Sequence, residues 1–226
     1  MSRSCLLVLG WTGITAVLFG VGELVVHSHA VTTFDRHVTH WVVGRRTPPL
    51  DATMKVVTWF GSWVAIAGVG VVALVLTATR RLAAAAPVLL AVAWAGESGA
   101  VNLVKHAVGR PRPPKALWLV TAHGASFPSG HAANATLTGV AAALVVFLLS
   151  ERRAFRVAAF TVACLVIVAV AFSRVELGVH WTTDVVTGCL VTLVWLAAIA
   201  GLVGSAVPRT GPGATADTSD PAPPVD

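Results

Sequence analysis

At 226 residues, with 56% hydrophobic and only 12% charged side chains and a mean hydropathy of +0.79, this chain lacks the polar surface needed to cover a soluble core. Its net charge of +6 does not mark a nucleic-acid binder, because the basic residues flank apolar runs or fall within one loop. Cys5, Cys164 and Cys189 each sit in an apolar stretch without ligand spacing, so they are read as small core residues rather than redox or metal groups.

Apolar runs long enough to cross a bilayer, about 20 residues each, recur along the chain. The first follows Arg3 and runs from Leu6 to Val26, too long for the core of a signal peptide, so a retained span is expected. Six spans fit the pattern, at about 5–27, 56–78, 83–105, 131–150, 155–172 and 185–206. Helices are the expected spanning structure, since backbone groups in lipid must be satisfied within the segment. Small-residue stretches at 83–86 and 132–143 favour close helix packing.

Between the first two spans, Phe34, Val38, Trp41 and Val42 recur at helical spacing with Asp35, Arg36, His37 and His40 among them. This predicts an amphipathic helix lying in the interface, ended by Pro48 and Pro49. The fold class is therefore an all-α membrane protein with six transmembrane helices and one interfacial helix after the first span. One domain covers 1–207, and the Pro-, Gly- and Thr-rich tail at 208–226 is predicted to be disordered.

Three polar clusters interrupt the apolar pattern. Lys105 through Pro114 forms a basic, proline-stiffened loop after the third span; Phe127-Pro128-Ser129-Gly130-His131 introduces the fourth; Ser173-Arg174, His180 and Asp184 lie between the fifth and sixth. If every span crosses, the loops after spans three and five face the same side. Lys105, Arg112 and Arg174 then supply three positive charges suited to a phosphate or diphosphate. Ser129 and Gly130 precede a helix, whose first backbone N–H groups attract an anion. His180 and Asp184 are one helical turn apart, so the carboxylate can fix the imidazole tautomer and leave a nucleophilic lone pair. His131 remains as an acid–base group. Arg110 is a candidate fourth charge, and Asn102, a turn before Lys105, a candidate support for it. Glu97 lies about 12 Å below Lys105 at the helical rise, too deep for direct catalysis.

Lys105, six residues, Arg112-Pro113; Pro128-Ser129-Gly130-His131; and Ser173-Arg174, five residues, His180, three residues, Asp184 together resemble the three-part signature of the type 2 phosphatidic acid phosphatases, complete and in order. The signature region is 105–184, and the likeness extends back to Asp35-Arg36; Thr182 stands where many bacterial members have proline. The resemblance implies a six-helix fold, a phosphohistidine on His180, His131 as acid–base residue, and no cofactor or metal. Vanadium haloperoxidases share the signature, but six spans argue against that reading. The expected substrate is a lipid phosphate or diphosphate, with a polyprenyl diphosphate such as undecaprenyl diphosphate first. Phosphatidate or phosphatidylglycerophosphate comes next, and a non-catalytic lipid-binding protein is the remaining alternative. Oligomeric state is not legible. With both termini inside, setting aside Lys105, Arg110, Arg112 and Arg174 leaves five basic residues outside against seven inside. The site is thus expected on the extracytoplasmic face of the cell membrane.

Overall fold

The computed structural model describes residues 2–204, all of whose regular structure is helical. The tail at 208–226 lies outside the described residues. Helix α1 (Arg3–His27) runs almost directly into α2 (His29–Val43): Ser28 ends the first and caps the second, its hydroxyl accepting from Val31 N at 3.4 Å. Then follow α3 (Pro48–Val57), a 3-10 turn (Thr58–Gly61), α4 (Trp63–Ala78), α5 (Ala85–Val108), α6 (Gly130–Leu149), α7 (Arg153–Glu176) and α8 (Thr182–Gly204).

Five single helices are long and apolar enough to span: α1, α5, α6, α7 and α8. A bent pair, Pro48–Gly61 with Trp63–Ala78, turning by 48°, makes a sixth span if it crosses as one unit. Pro48 and Pro49 therefore begin a helix rather than ending the interfacial one, occupying the first turn where a missing N–H costs nothing. Gly44 ends α2 instead. The break falls at Ser62, which is extended and donates its hydroxyl to Trp59 O at 2.7 Å. Gly61 lets the break press against α6, since a Cβ there would lie 2.6 Å from His131 O.

Helix α6 is central and packs against α4, α5, α7 and α8. Its buried face is built from Ala132, Ala133, Ala135, Gly139 and Ala143, so neighbouring backbones approach closely. Leu137 joins Ile66, Ala93, Trp195 and Ile199 in one apolar cluster, while Leu18, Val25, Val104 and Phe127 form another beneath the loop of α5 and α6. Large apolar residues elsewhere, such as Val17, Leu74, Leu165 and Val168, face outward to lipid. Cys5 and Cys164 also face outward, so they are not core residues as the sequence suggested.

Helix α2 divides its apolar residues in the same way. Val38 and Val42 pack inward with Val175 and Val185, whereas Phe34 and Trp41 are exposed. Asp35 and Thr39 turn inward with the valines. The polar-out, apolar-in pattern of an aqueous surface does not hold where the outside is lipid.

Candidate active site

The site forms where α5 ends and α6 begins, beside the end of α7 and the start of α8. Gly109 at φ +61° stops α5 and releases the chain into the 110–129 loop. That loop is bonded to its surroundings at several points: Ser126 N donates to Arg110 O at 2.8 Å, Leu119 N to Leu177 O at 3.1 Å, and Ser129 N to Asp184 O at 3.0 Å. Helix α7 reaches Glu176, four residues beyond the expected span, so Arg174 projects from a helix rather than a loop. Arg46 anchors that end, its Nε donating to Glu176 O at 2.8 Å. Gly178, at φ +73°, makes the tight turn to His180; a Cβ there would clash with Leu117 O.

These turns bring the three clusters together. His180 is 2% exposed and Asp184 fully buried. Arg112 Nη1 donates to His180 Nε2 at 3.0 Å. A guanidinium has only donors, so Nε2 carries the lone pair and Nδ1 the proton. Nδ1–H in turn points to Asp184 Oδ2 at 3.3 Å, and Oδ2 also accepts from Trp181 N at 2.9 Å. Burial first, then the charges of Arg174, Arg112 and Lys105 and the nearby His131, hold the His180 imidazole well below its ordinary pKa. The neutral ring thus has its lone pair on Nε2, where Arg112 Nη1 engages it.

Arg112, Lys105 and Arg174 all lie close enough to act on that ring. Lys105 Nζ donates to Ala125 O at 2.9 Å and Ser126 O at 3.3 Å. Arg112 also donates to Val179 O at 2.7 Å, His123 O at 2.8 Å and Gly124 O at 3.0 Å. Burial lowers the Arg112 pKa, partly offset by the Asp184 carboxylate. Arg174 is nearly buried; Nη1 donates to Thr58 Oγ1 at 2.7 Å, and its buried Nε has no hydrogen-bond acceptor among the described residues. A buried donor aimed at no protein group is unusual and can serve a bound anion. Ser129 caps α6 and Gly130 begins it, so this helix presents its N-terminus to the same space. His131 follows, with no side-chain hydrogen bond among the described residues fixing its tautomer.

Two expected supports sit elsewhere. Asn102 is on the exposed side of α5, its carbonyl accepting from His106 Nδ1, and it makes no bond to Lys105. Arg110 faces carboxylates rather than the anion space: Nη1 donates to Asp184 Oδ1 at 2.5 Å and Nη2 to Asp35 Oδ2 at 2.7 Å. Thr58 lies against the cluster without having been singled out by the motifs, and Asp35 was named only at the edge of the family likeness, with no role. The helical register held a signal for Asp35, which lies at one-turn spacing from Val31 and Val38 on the inward face of α2.

Fold and site together define a multi-pass helical membrane protein with a basic, histidine-bearing cluster at one end of its bundle. The PAP2 superfamily matches residues 84–207, more than half of the chain, and the chain belongs to it. Among solved structures, it resembles the first transmembrane PAP2 type phosphatidylglycerolphosphate phosphatase from Bacillus subtilis, at 24% identity and a TM-score of 0.73. That match covers 87% of this chain and 97% of the other. It also resembles LpxE of Aquifex aeolicus, at 21% identity and a TM-score of 0.57, covering 72% of this chain and 93% of the other. No curated protein matches the chain.

Proposed function

We propose that the protein hydrolyses a lipid phosphate or diphosphate through a phosphohistidine formed on His180. The observation that carries this reading is the His180 Nε2 lone pair, fixed by Asp184 on its far side, amid Lys105, Arg112 and Arg174. His180 Nε2 attacks phosphorus as the bond to the leaving oxygen breaks, and His131 gives that oxygen a proton. His131 then takes a proton from water, whose oxygen attacks phosphorus and cleaves the P–N bond, releasing inorganic phosphate. Lys105, Arg112, Arg174 and the start of α6 stabilise the charge on the equatorial oxygens.

A lipid tail fits the architecture. A groove of about 580 Å³ between α4 and α6 is lined by Trp59, Phe60, Val64, Val72, Thr138 and Val145. Trp59, in its lining, is next in sequence to Thr58, the partner of Arg174. We place a polyprenyl diphosphate first among substrates; a phosphatidylglycerophosphate is the second reading, favoured by the activity for which the Bacillus subtilis protein of the same fold is named.

The test compares kcat/KM for polyprenyl diphosphate, phosphatidylglycerophosphate and phosphatidate, with and without a strong chelator. Phosphate release is expected from at least one lipid, unchanged by chelation and inhibited by vanadate. The donors facing the anion are cationic side chains, a set that repels a metal ion. An absolute magnesium requirement, or no release from any lipid, overturns the reading.

We further place the site on the extracytoplasmic face. A cysteine at the exposed Ala116, in a chain whose three native cysteines are replaced, is expected to react with a membrane-impermeant thiol reagent on intact cells. Reaction only after permeabilisation reverses the topology.

A further inference from the structure

Arg110 is 3% exposed and lies between two carboxylates, Asp35 and Asp184, each 0% exposed. Asp35 is carried by α2, distant in sequence from the three polar clusters. Its Oδ2 accepts from Arg110 Nη2 at 2.7 Å and from Thr183 Oγ1, and its Oδ1 accepts from Thr183 N at 3.0 Å. Thr183 is in the first turn of α8, so Asp35 satisfies an unpaired N–H at the start of the helix that bears Asp184. Arg110 Nη1 reaches Thr183 Oγ1 at 2.9 Å as well as Asp184 Oδ1. Both oxygens of Asp184 are therefore held, Oδ1 by Arg110 and Oδ2 by Trp181 N and the His180 ring.

We infer that Asp35 is a positioning residue for the hydrolysis, acting through Arg110 on Asp184 and hence on the nucleophile His180. Two effects combine. Arg110 bridges two fixed carboxylates with its fork, so Asp184 has one rotamer and aims one oxygen at the imidazole. The bridge also has a charge consequence. Asp35 and Arg110 cancel, leaving the negative charge of Asp184 to face Nδ1–H of His180, where positive charge develops as Nε2 bonds to phosphorus. Without Asp35, Arg110 neutralises Asp184 instead. The groups that face His180 from the other elements are Lys105 of α5, Arg112 of the loop, His131 of α6 and Arg174 of α7, none of them an anion. Asp184 is thus the one carboxylate against the ring among the described residues, and its charge is what Asp35 preserves. A buried ion network is a poor route to stability, given the desolvation cost, and is better explained by the geometry it imposes.

This inference rests on the phosphohistidine reading, so lipid phosphate release by the wild type and its loss in His180→Ala are measured first. An inactive wild type or an active His180→Ala overturns that reading. With both controls as expected, Asp35→Asn should lower kcat by about 10- to 50-fold while KM changes by less than about 3-fold, because the anion cradle is untouched. Arg36→Gln, on the exposed side of the same helix, should leave kcat unchanged. In an Asp184→Asn background, Asp35→Asn should cost less than about 2-fold more, since residues that act in series are not additive. Arg110→Lys keeps the charge but loses the fork, and should give the same kcat loss and the same cancellation; it decides the matter if Asp35→Asn does not fold. Normal kcat in Asp35→Asn, a loss expressed in KM, or an equal factor in both backgrounds overturns the inference and leaves Asp35 as a docking residue of α2.

Discussion

His180→Ala is expected to abolish turnover, by about 10⁴-fold or more, with the helical fold retained. Among the described residues, His180 is the imidazole whose tautomer the hydrogen bonds to Arg112 and Asp184 fix; His131, near the same three cations, has no such bonds and begins a different helix. Rapid-quench trapping with radiolabelled lipid should show no acid-labile phosphoprotein in the variant. Substantial turnover by folded His180→Ala excludes the phosphohistidine. Asp184→Asn should cost less, about 10²- to 10⁴-fold, and the structure gives the reason. Arg110 can only donate, so the amide oxygen must turn toward it and the NH₂ group toward His180 and Trp181 N. An amide donor facing Nδ1 favours the other tautomer, which places the proton on Nε2 and removes the lone pair. The imidazole survives, and with it a fraction of the activity.

His131→Ala is expected to separate the two substrate classes. When a diphosphate is cleaved, the leaving group is a lipid phosphate, whose second pKa is about 6 by analogy with phosphorylated side chains. It departs near neutral pH with little proton donation. A monoester releases an alkoxide, far more basic, which needs an acid in the transition state. Formation of the phosphoenzyme should therefore fall about 10²- to 10⁴-fold with phosphatidate and far less with a polyprenyl diphosphate. Water attack on the phosphohistidine is common to both substrates and should slow in each. A diphosphate lipid should then give a burst of product followed by slow turnover, and phosphatidate almost no burst. Equal loss of the first-turnover rate for both lipids removes His131 from the role of leaving-group acid.

The polar cluster was legible because charged residues stand out against an apolar chain. Lys105, Arg112, Ser129, Gly130, Arg174, His180 and Asp184 are all brought to one end of the bundle, where their hydrogen bonds and charges interlock. What escaped was of longer range. Arg110 meets Asp35 across 75 residues, and Arg174 meets Thr58 across 116, distances over which no periodicity carries information. Arg110 consequently looked like one more phosphate ligand when its nitrogens are directed at carboxylates. Asp35 was grouped with the polar residues of an amphipathic helix, because inward valines and outward aromatics are indistinguishable by hydropathy when lipid lies outside. The bend at Ser62 was hidden for a related reason: Pro48 and Pro49 signal a helix start as readily as a stop, and the apolar run reads smoothly through Gly61.

The carbonyls of His123, Gly124, Ala125 and Ser126 surround Lys105 and Arg112 and accept their hydrogen bonds. The cations are therefore not bare. An arriving phosphate group takes over donors that neutral backbone dipoles already hold, so the net gain is the difference between two sets of hydrogen bonds. That difference grows as charge accumulates on the equatorial oxygens and shrinks once free phosphate is formed and protonates. Under the proposed hydrolysis, the segment at 123–126 therefore competes with bound phosphate for Lys105 and Arg112 and favours release of the product.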